Sequence, residues 1–187
     1  RTTVKIDQFP AYLINATIAI EDDSFYSNIG VDIPATIVSL LGYVGLGGAQ
    51  TGGSSITQQL VRNVLFDAQY RSERSAQRKA EEILLAIALT GRMSKDQILE
   101  LYLNEIYYGN LAYGAEAASQ IFFGKEAKDL TLGEAALLAG LPQAPANLDP
   151  LDPSPDIQQD VQARWVQVLN EMVEEKYITQ AEMDDAI

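Results

Sequence analysis

Four times along the chain a hydroxyl residue is followed three positions later by Glu or Gln: Ser55–Gln58, Ser94–Gln97, Thr131–Glu134 and Thr179–Glu182. In such a pair the first side chain caps the third residue's amide and the third side chain reaches back, which is the capping-box signature of a helix start. A chain that opens helices this often is predicted to be mostly α. Helical spacing of apolar residues then predicts helices over Pro10–Ile20, Asp32–Leu41, Ser54–Phe66, Ser75–Leu89, Ser94–Tyr102, Tyr113–Phe122, Leu132–Ala139 and Ile157–Glu175, with a short last helix after Thr179. Leu13, Ala16, Thr17 and Ile20 share one face of the first. Ile83, Leu84 and Ile87 are expected in the core, as are Trp165, Val168, Leu169 and Met172.

Strands are scarce. The best candidate is "TTVKID" at the start, which lacks an obvious partner. Gly109 and Gly114 mark a tight turn between two helices. The stretch 40–53 ends in "GYVGLGGAQTGG", with six glycines in twelve residues and an apolar tip; it reads as a flexible loop or as a flap that touches ligand or lipid. Five of the seven prolines fall in 142–156, an irregular connector. The 187 residues suit one domain, and the beginning reads as a cut inside a longer chain.

Composition narrows the chemistry. There is no cysteine and no histidine, so thiolate chemistry, a Ser–His pair and a His-ligated zinc are excluded. Acid–base work falls to carboxylates, Lys or Tyr. The net charge of −13 argues against nucleic acid as a partner. The charge is uneven: Arg62, Arg71, Arg74, Arg78, Lys79, Arg92 and Lys95 are seven of the thirteen basic residues, whereas 149–187 carries ten acids against two bases. The basic segment fits either a solvated helix face or a seat for an anionic ligand. No apolar run of 18 residues is present.

Three stretches could carry chemistry. Glu21, Asp22 and Asp23 follow an apolar helix and meet the negative end of its dipole. A solvated end tolerates that; a carboxylate there also holds its proton more readily, as a base should. "TGGSSITQQLVRN" brings Gly53, Ser54, Ser55 and Thr57 to a helix start, where free amides can hold an anion, with Gln58, Gln59, Arg62 and Asn63 along the following turns. Capping explains Ser55 and Gln58 but not the rest. In "RKAEE", Arg78 and Glu82 are four apart and Lys79 and Glu82 three apart, a pattern that taken alone reads as ordinary surface pairing.

Together the segments "EDDSFYSNIGVD", "GGSSITQQLVRN", "RKAEE", "SKDQILELYLNEIYYGN" and "AYGAEAASQIFFGK" resemble, in order and spacing, the peptidoglycan glycosyltransferases of family 51. These are the class A penicillin-binding proteins and their monofunctional relatives. The resemblance spans Ile6 to Ile187. It implies a lysozyme-like helical domain with a smaller, mobile, membrane-facing lobe. It implies polymerisation of lipid II into β-1,4 glycan strands by an inverting displacement, with release of undecaprenyl diphosphate. By that likeness Glu21 is the catalytic base and Glu82 the second glutamate. Asp22, Phe25, Gly53, Ser54, Ser55, Thr57, Gln58, Gln59, Arg62, Asn63, Arg78 and Lys79 are the substrate-binding positions.

No cofactor is required by the resemblance, which allows a divalent cation, Mg or Mn, at Glu82. It implies lipid II, the growing glycan and the cytoplasmic membrane as partners, a place on that membrane's outer face, and in some relatives a transpeptidase domain further along. The sequence departs from the family at Asn28, where His is usual, at Ser55 for Thr, at Arg62 for Lys, and at Asp23, where a basic residue is common. Two other classes fit the carboxylates and helices: a lysozyme-like glycan hydrolase, and a non-catalytic module that binds lipid-linked sugar.

Overall fold

A computed structural model describes residues 3–34, 36–37, 53–73 and 75–187. The flap at 40–53, Gly53 excepted, lies outside the described residues, as do Arg74 and the end of the predicted 32–41 helix. The described helices are α1 (Ala11–Glu21), α2 (Ile56–Leu65), α3 (Ala68–Ser72), α4 (Ala76–Thr90), α5 (Lys95–Glu105), α6 (Ala115–Phe123), α7 (Leu132–Gly140), α8 (Pro155–Glu174) and α9 (Gln180–Ala186). The mostly-α class holds.

All four capping boxes form. Ser55, Thr131 and Thr179 accept the third residue's amide and receive its side chain in return. Ser94 and Gln97 exchange the same pair of bonds at 2.9 and 3.2 Å. The expected first strand does not form: Ile6–Gln8 is a 3-10 turn, closed by the Gln8 amide on the Lys5 carbonyl at 2.9 Å. A segment without a partner strand satisfies its backbone locally instead. The turn between α5 and α6 is tied by an antiparallel bridge between Tyr107 and Tyr113.

The chain divides into two compact units. The first joins residues 1–23 to 106–187. Its core lies where α1, α7 and α8 meet. Ala16 and Ala19 face Ala136 and Ala139, so the backbones approach closely, and Val168, Leu169, Met172, Ile178 and Met183 fill the remainder. Trp165 packs on this cluster from a half-buried position.

The second unit is Ser24–Glu105, in which α2 packs on α4 and α5. Here one expectation fails. Ile83 is only half-buried, while Leu84 and Ile87 are 67% and 37% exposed. The inward face of α4 carries Arg78, Lys79, Glu82 and Ala86 instead. The apolar stripe of this helix is not its buried stripe, because the polar residues that face inward are paired there.

Candidate active site

In the second unit, α4 begins at Ser75, whose hydroxyl caps the Arg78 amide at 3.1 Å. One turn further in, Glu82 has no exposed surface. Its carboxylate accepts from Lys79 Nζ at 2.5 Å and from Arg78 at 2.7 Å, and Arg62 on α2 stands 3.9 Å away. Arg78 and Lys79 are 4% and 2% exposed, so "RKAEE" is a buried charge cluster and not surface pairing. Ions are buried only when their partners replace water. Arg78 Nε donates to the Glu73 carbonyl at 2.7 Å, and Lys79 donates a second time, to Ser54 Oγ at 2.8 Å. Three cations around one carboxylate leave the cluster positive. Burial pulls the Lys79 ammonium below the usual lysine range, Glu82 opposes that, and Arg62 and Arg78 add to it. With its oxygens taken by cations, Glu82 does not fit a divalent metal.

The start of α2 is built as tightly. Ser55 caps the helix and donates its hydroxyl to the Gly30 carbonyl at 2.6 Å. Ser55, Thr57 and Gln58 are all buried, with Thr57 and Gln58 showing no exposed surface. The Thr57 hydroxyl and the Gln58 Nε2 have no hydrogen-bond partner among the described residues. Gln59 donates to the Ser54 carbonyl at 3.2 Å and accepts from the Tyr102 hydroxyl at 3.1 Å. Asn63 accepts from Arg71 at 3.1 Å. Much of the polar face of α2 that capping left unexplained is therefore a scaffold, with half-buried Arg62 reaching toward Glu82. Gly53 and Ser54 are also half-buried at this end.

The loop that follows the acidic triplet is pinned within the same unit. Asn28 Oδ1 accepts from the Gly30 amide at 2.9 Å and from Lys95 Nζ at 2.8 Å, and its amide donates to Ser24 Oγ at 3.2 Å. Lys95 also lies 4.6 Å above the ring of Phe25, which is fully buried. Tyr26 donates to Asp96 at 3.0 Å. The basic residues therefore divide: Arg62, Arg78 and Lys79 meet at Glu82, while Lys95 serves the loop.

In the first unit Glu21 is the last residue of α1, as its place after the apolar run predicted. Asp22 follows, 6% exposed, and Asp23 is exposed. Arg164 on α8 donates to Glu21 Oε1 at 3.3 Å, with both side chains 9% exposed. Arg164 is itself held: Nε donates to the Gly140 carbonyl at 3.2 Å and Nη1 to Gln167 at 3.0 Å. A Cβ at residue 140 would stand 3.0 Å from Arg164 Cγ, so the glycine lets the Arg164 stem pass close to α7. The buried Tyr108 hydroxyl titrates higher than usual, first through burial and then through the charge of Glu21. Sequence reasoning missed Arg164. The signal was its spacing, three after Val161 and four before Val168, which puts a cation on the buried face of an otherwise acidic segment.

The family model described as "Transglycosylase" matches residues 1–173. The chain belongs to the transglycosylase family. Penicillin-binding protein 1A of Vibrio cholerae is 44% identical to it over 186 residues, and that of Neisseria flavescens 45% over 187. In both cases the whole chain is covered but only 22% of the relative. This transglycosylase chain thus spans about a fifth of the length of those relatives. The crystal structure of penicillin-binding protein 1A from Haemophilus influenzae superposes with a TM-score of 0.57 at 28% identity, covering 100% of this chain and 17% of that one.

Proposed function

We propose that this transglycosylase domain polymerises lipid II, with Glu21 as base and the Arg62–Arg78–Lys79 cluster as the diphosphate seat. The observation that carries the reading is the buried, net-positive cluster around Glu82 in a protein of net charge −13. In the reaction, the acceptor's 4-oxygen forms a bond to the donor's anomeric carbon as the bond from that carbon to the diphosphate oxygen breaks. The bonding pair leaves with the diphosphate, and the hydroxyl proton passes to Glu21. The anomeric centre inverts and no covalent enzyme intermediate forms. Charge builds on the leaving group, where preorganised cations stabilise it most. Glu82 aims Lys79 and Arg78, and no step passes through a metal ion.

Arg164 supplies a second support. Its guanidinium favours the ionised carboxylate, the form that accepts a proton, and so opposes the raised proton affinity expected of Glu21 from the helix end alone. A glycan hydrolase would also use a carboxylate but has no use for the cationic cluster. Apolar exposure on the second unit, at Ile33, Val64, Leu65 and Leu84, suits contact with a lipid surface, in keeping with a membrane-bound substrate on the outer face of the cytoplasmic membrane. The length of the relatives supports a further, transpeptidase-bearing region in the full protein.

Incubation with lipid II should yield polymer and free lipid diphosphate, whereas finished glycan should stay intact. Glu21→Gln should abolish polymer formation with an unchanged far-UV circular dichroism spectrum. Polymer from that variant, or cleavage of glycan by the native chain, would defeat the proposal.

A further inference from the structure

A cavity of about 740 Å³ opens in the first unit beside α7, the early turns of α8 and the 142–156 connector. That lies within the range of about 300–1,000 Å³ common to small-ligand sites. Its lining includes the apolar residues Trp165, Phe123, Pro150 and Pro155, with Gln159 and Gln162 beside them. The site is held in shape. Trp165 donates its indole N–H to the Gly133 carbonyl at 2.9 Å, which fixes the ring. Gln158 donates to the carbonyls of Pro150 and Asp152 at 3.2 and 2.5 Å, which pins the connector as a wall.

The side-chain amides of Gln159 and Gln162, by contrast, are exposed and make no hydrogen bond among the described residues. Glu134 is the one charged residue in the described lining, and its carboxylate is committed to the Thr131 cap at 2.8 Å and to Lys125 at 2.7 Å. A diphosphate would find no uncommitted cation in this lining, and a charged peptide no free counter-charge. A sugar ring matches it: C–H faces lie on an aromatic plane, and hydroxyl and acetamido groups meet free amides that both donate and accept.

We propose that this cavity is a second glycan site, taking a neutral N-acetylhexosamine stretch of a strand. The naming of the ligand as glycan rests on the glycosyltransferase reading. The site differs in kind from the cationic cluster, because it recognises sugar and not diphosphate. Trp165 also follows directly on Arg164, so one helix holds the candidate base from one face and the strand from the next.

The chain has a single tryptophan, so its fluorescence reports on this cavity alone. Titration with chitotetraose, a lipid-free β-1,4-linked N-acetylglucosamine tetrasaccharide, should give a saturable change in Trp165 emission. The Gln159→Ala/Gln162→Ala double variant, altered only at exposed amides, should bind at least tenfold more weakly while polymerising lipid II at the native rate. Excess inorganic diphosphate should not displace the sugar. No saturable change, equal binding by the double variant, or displacement by diphosphate would each overturn the inference. Sugar binding by a chain that forms no polymer from lipid II would leave the cavity standing and defeat the activity reading. Polymer formation with no response from Trp165 would do the reverse.

Discussion

Lys79 sits almost wholly out of water, held by Glu82 and Ser54, and burial lowers its proton affinity. Because its folded value lies below that of an exposed lysine, the unfolded chain binds more protons between the two. The folded form therefore gains stability as pH rises through that window. The same rise removes charge from the cluster. Calorimetric titration of inorganic diphosphate should show native affinity falling against that of Lys79→Arg, which stays charged, at a pH below the ordinary lysine value. A constant ratio would show that Lys79 does not titrate there. Arg164 makes the matching case in the other unit. Arg164→Ala should lower kcat for lipid II polymerisation and move the acid limb of the rate profile to higher pH, since Glu21 would hold its proton more readily without the cation. An unshifted limb would make Arg164 a packing residue only.

At the scale of elements, the second unit depends on how closely the 24–30 loop reaches α2 and α4. Gly30 has φ +98°, and a Cβ there would lie 2.5 Å from the Ala86 carbonyl oxygen and from the Thr90 hydroxyl. Its own carbonyl receives the Ser55 hydroxyl that also caps α2. Gly30→Ala should cost about 1–3 kcal/mol for the backbone conformation alone, plus the clash, and should disturb the start of α2 with it. Urea denaturation measures the loss, and a change under 0.5 kcal/mol, about the size of an ordinary surface substitution, would contradict this packing. The pairing of α4 with α2 explains why the apolar stripe of α4 faces outward. Leu84 and Ile87 are exposed because Arg78, Lys79 and Glu82 occupy the inner face, and that arrangement is stable only as a set.

For the molecule as a whole, charge acts in two opposed ways. Net charge −13 makes the acidic surface self-repelling, so added salt should raise the melting temperature. Diphosphate is attracted to the cationic cluster, so the same salt should weaken its binding. Parallel thermal melts and binding titrations from low to moderate salt test both signs, and a common sign would refute this division of charge. Helix starts, the mostly-α class, Glu21 at the end of α1 and the long amphipathic α8 were legible in the sequence because they depend on local spacing and capping. The resemblance likewise picked out Arg62, Arg78, Lys79 and Glu82 by their order along the chain. That these charges are buried and converge, that Arg164 reaches Glu21 across 143 positions, and that Trp165 borders a neutral cavity were decided only by tertiary packing. Burial and pairing between distant residues depend on which faces of the helices meet, and no local window of sequence records that.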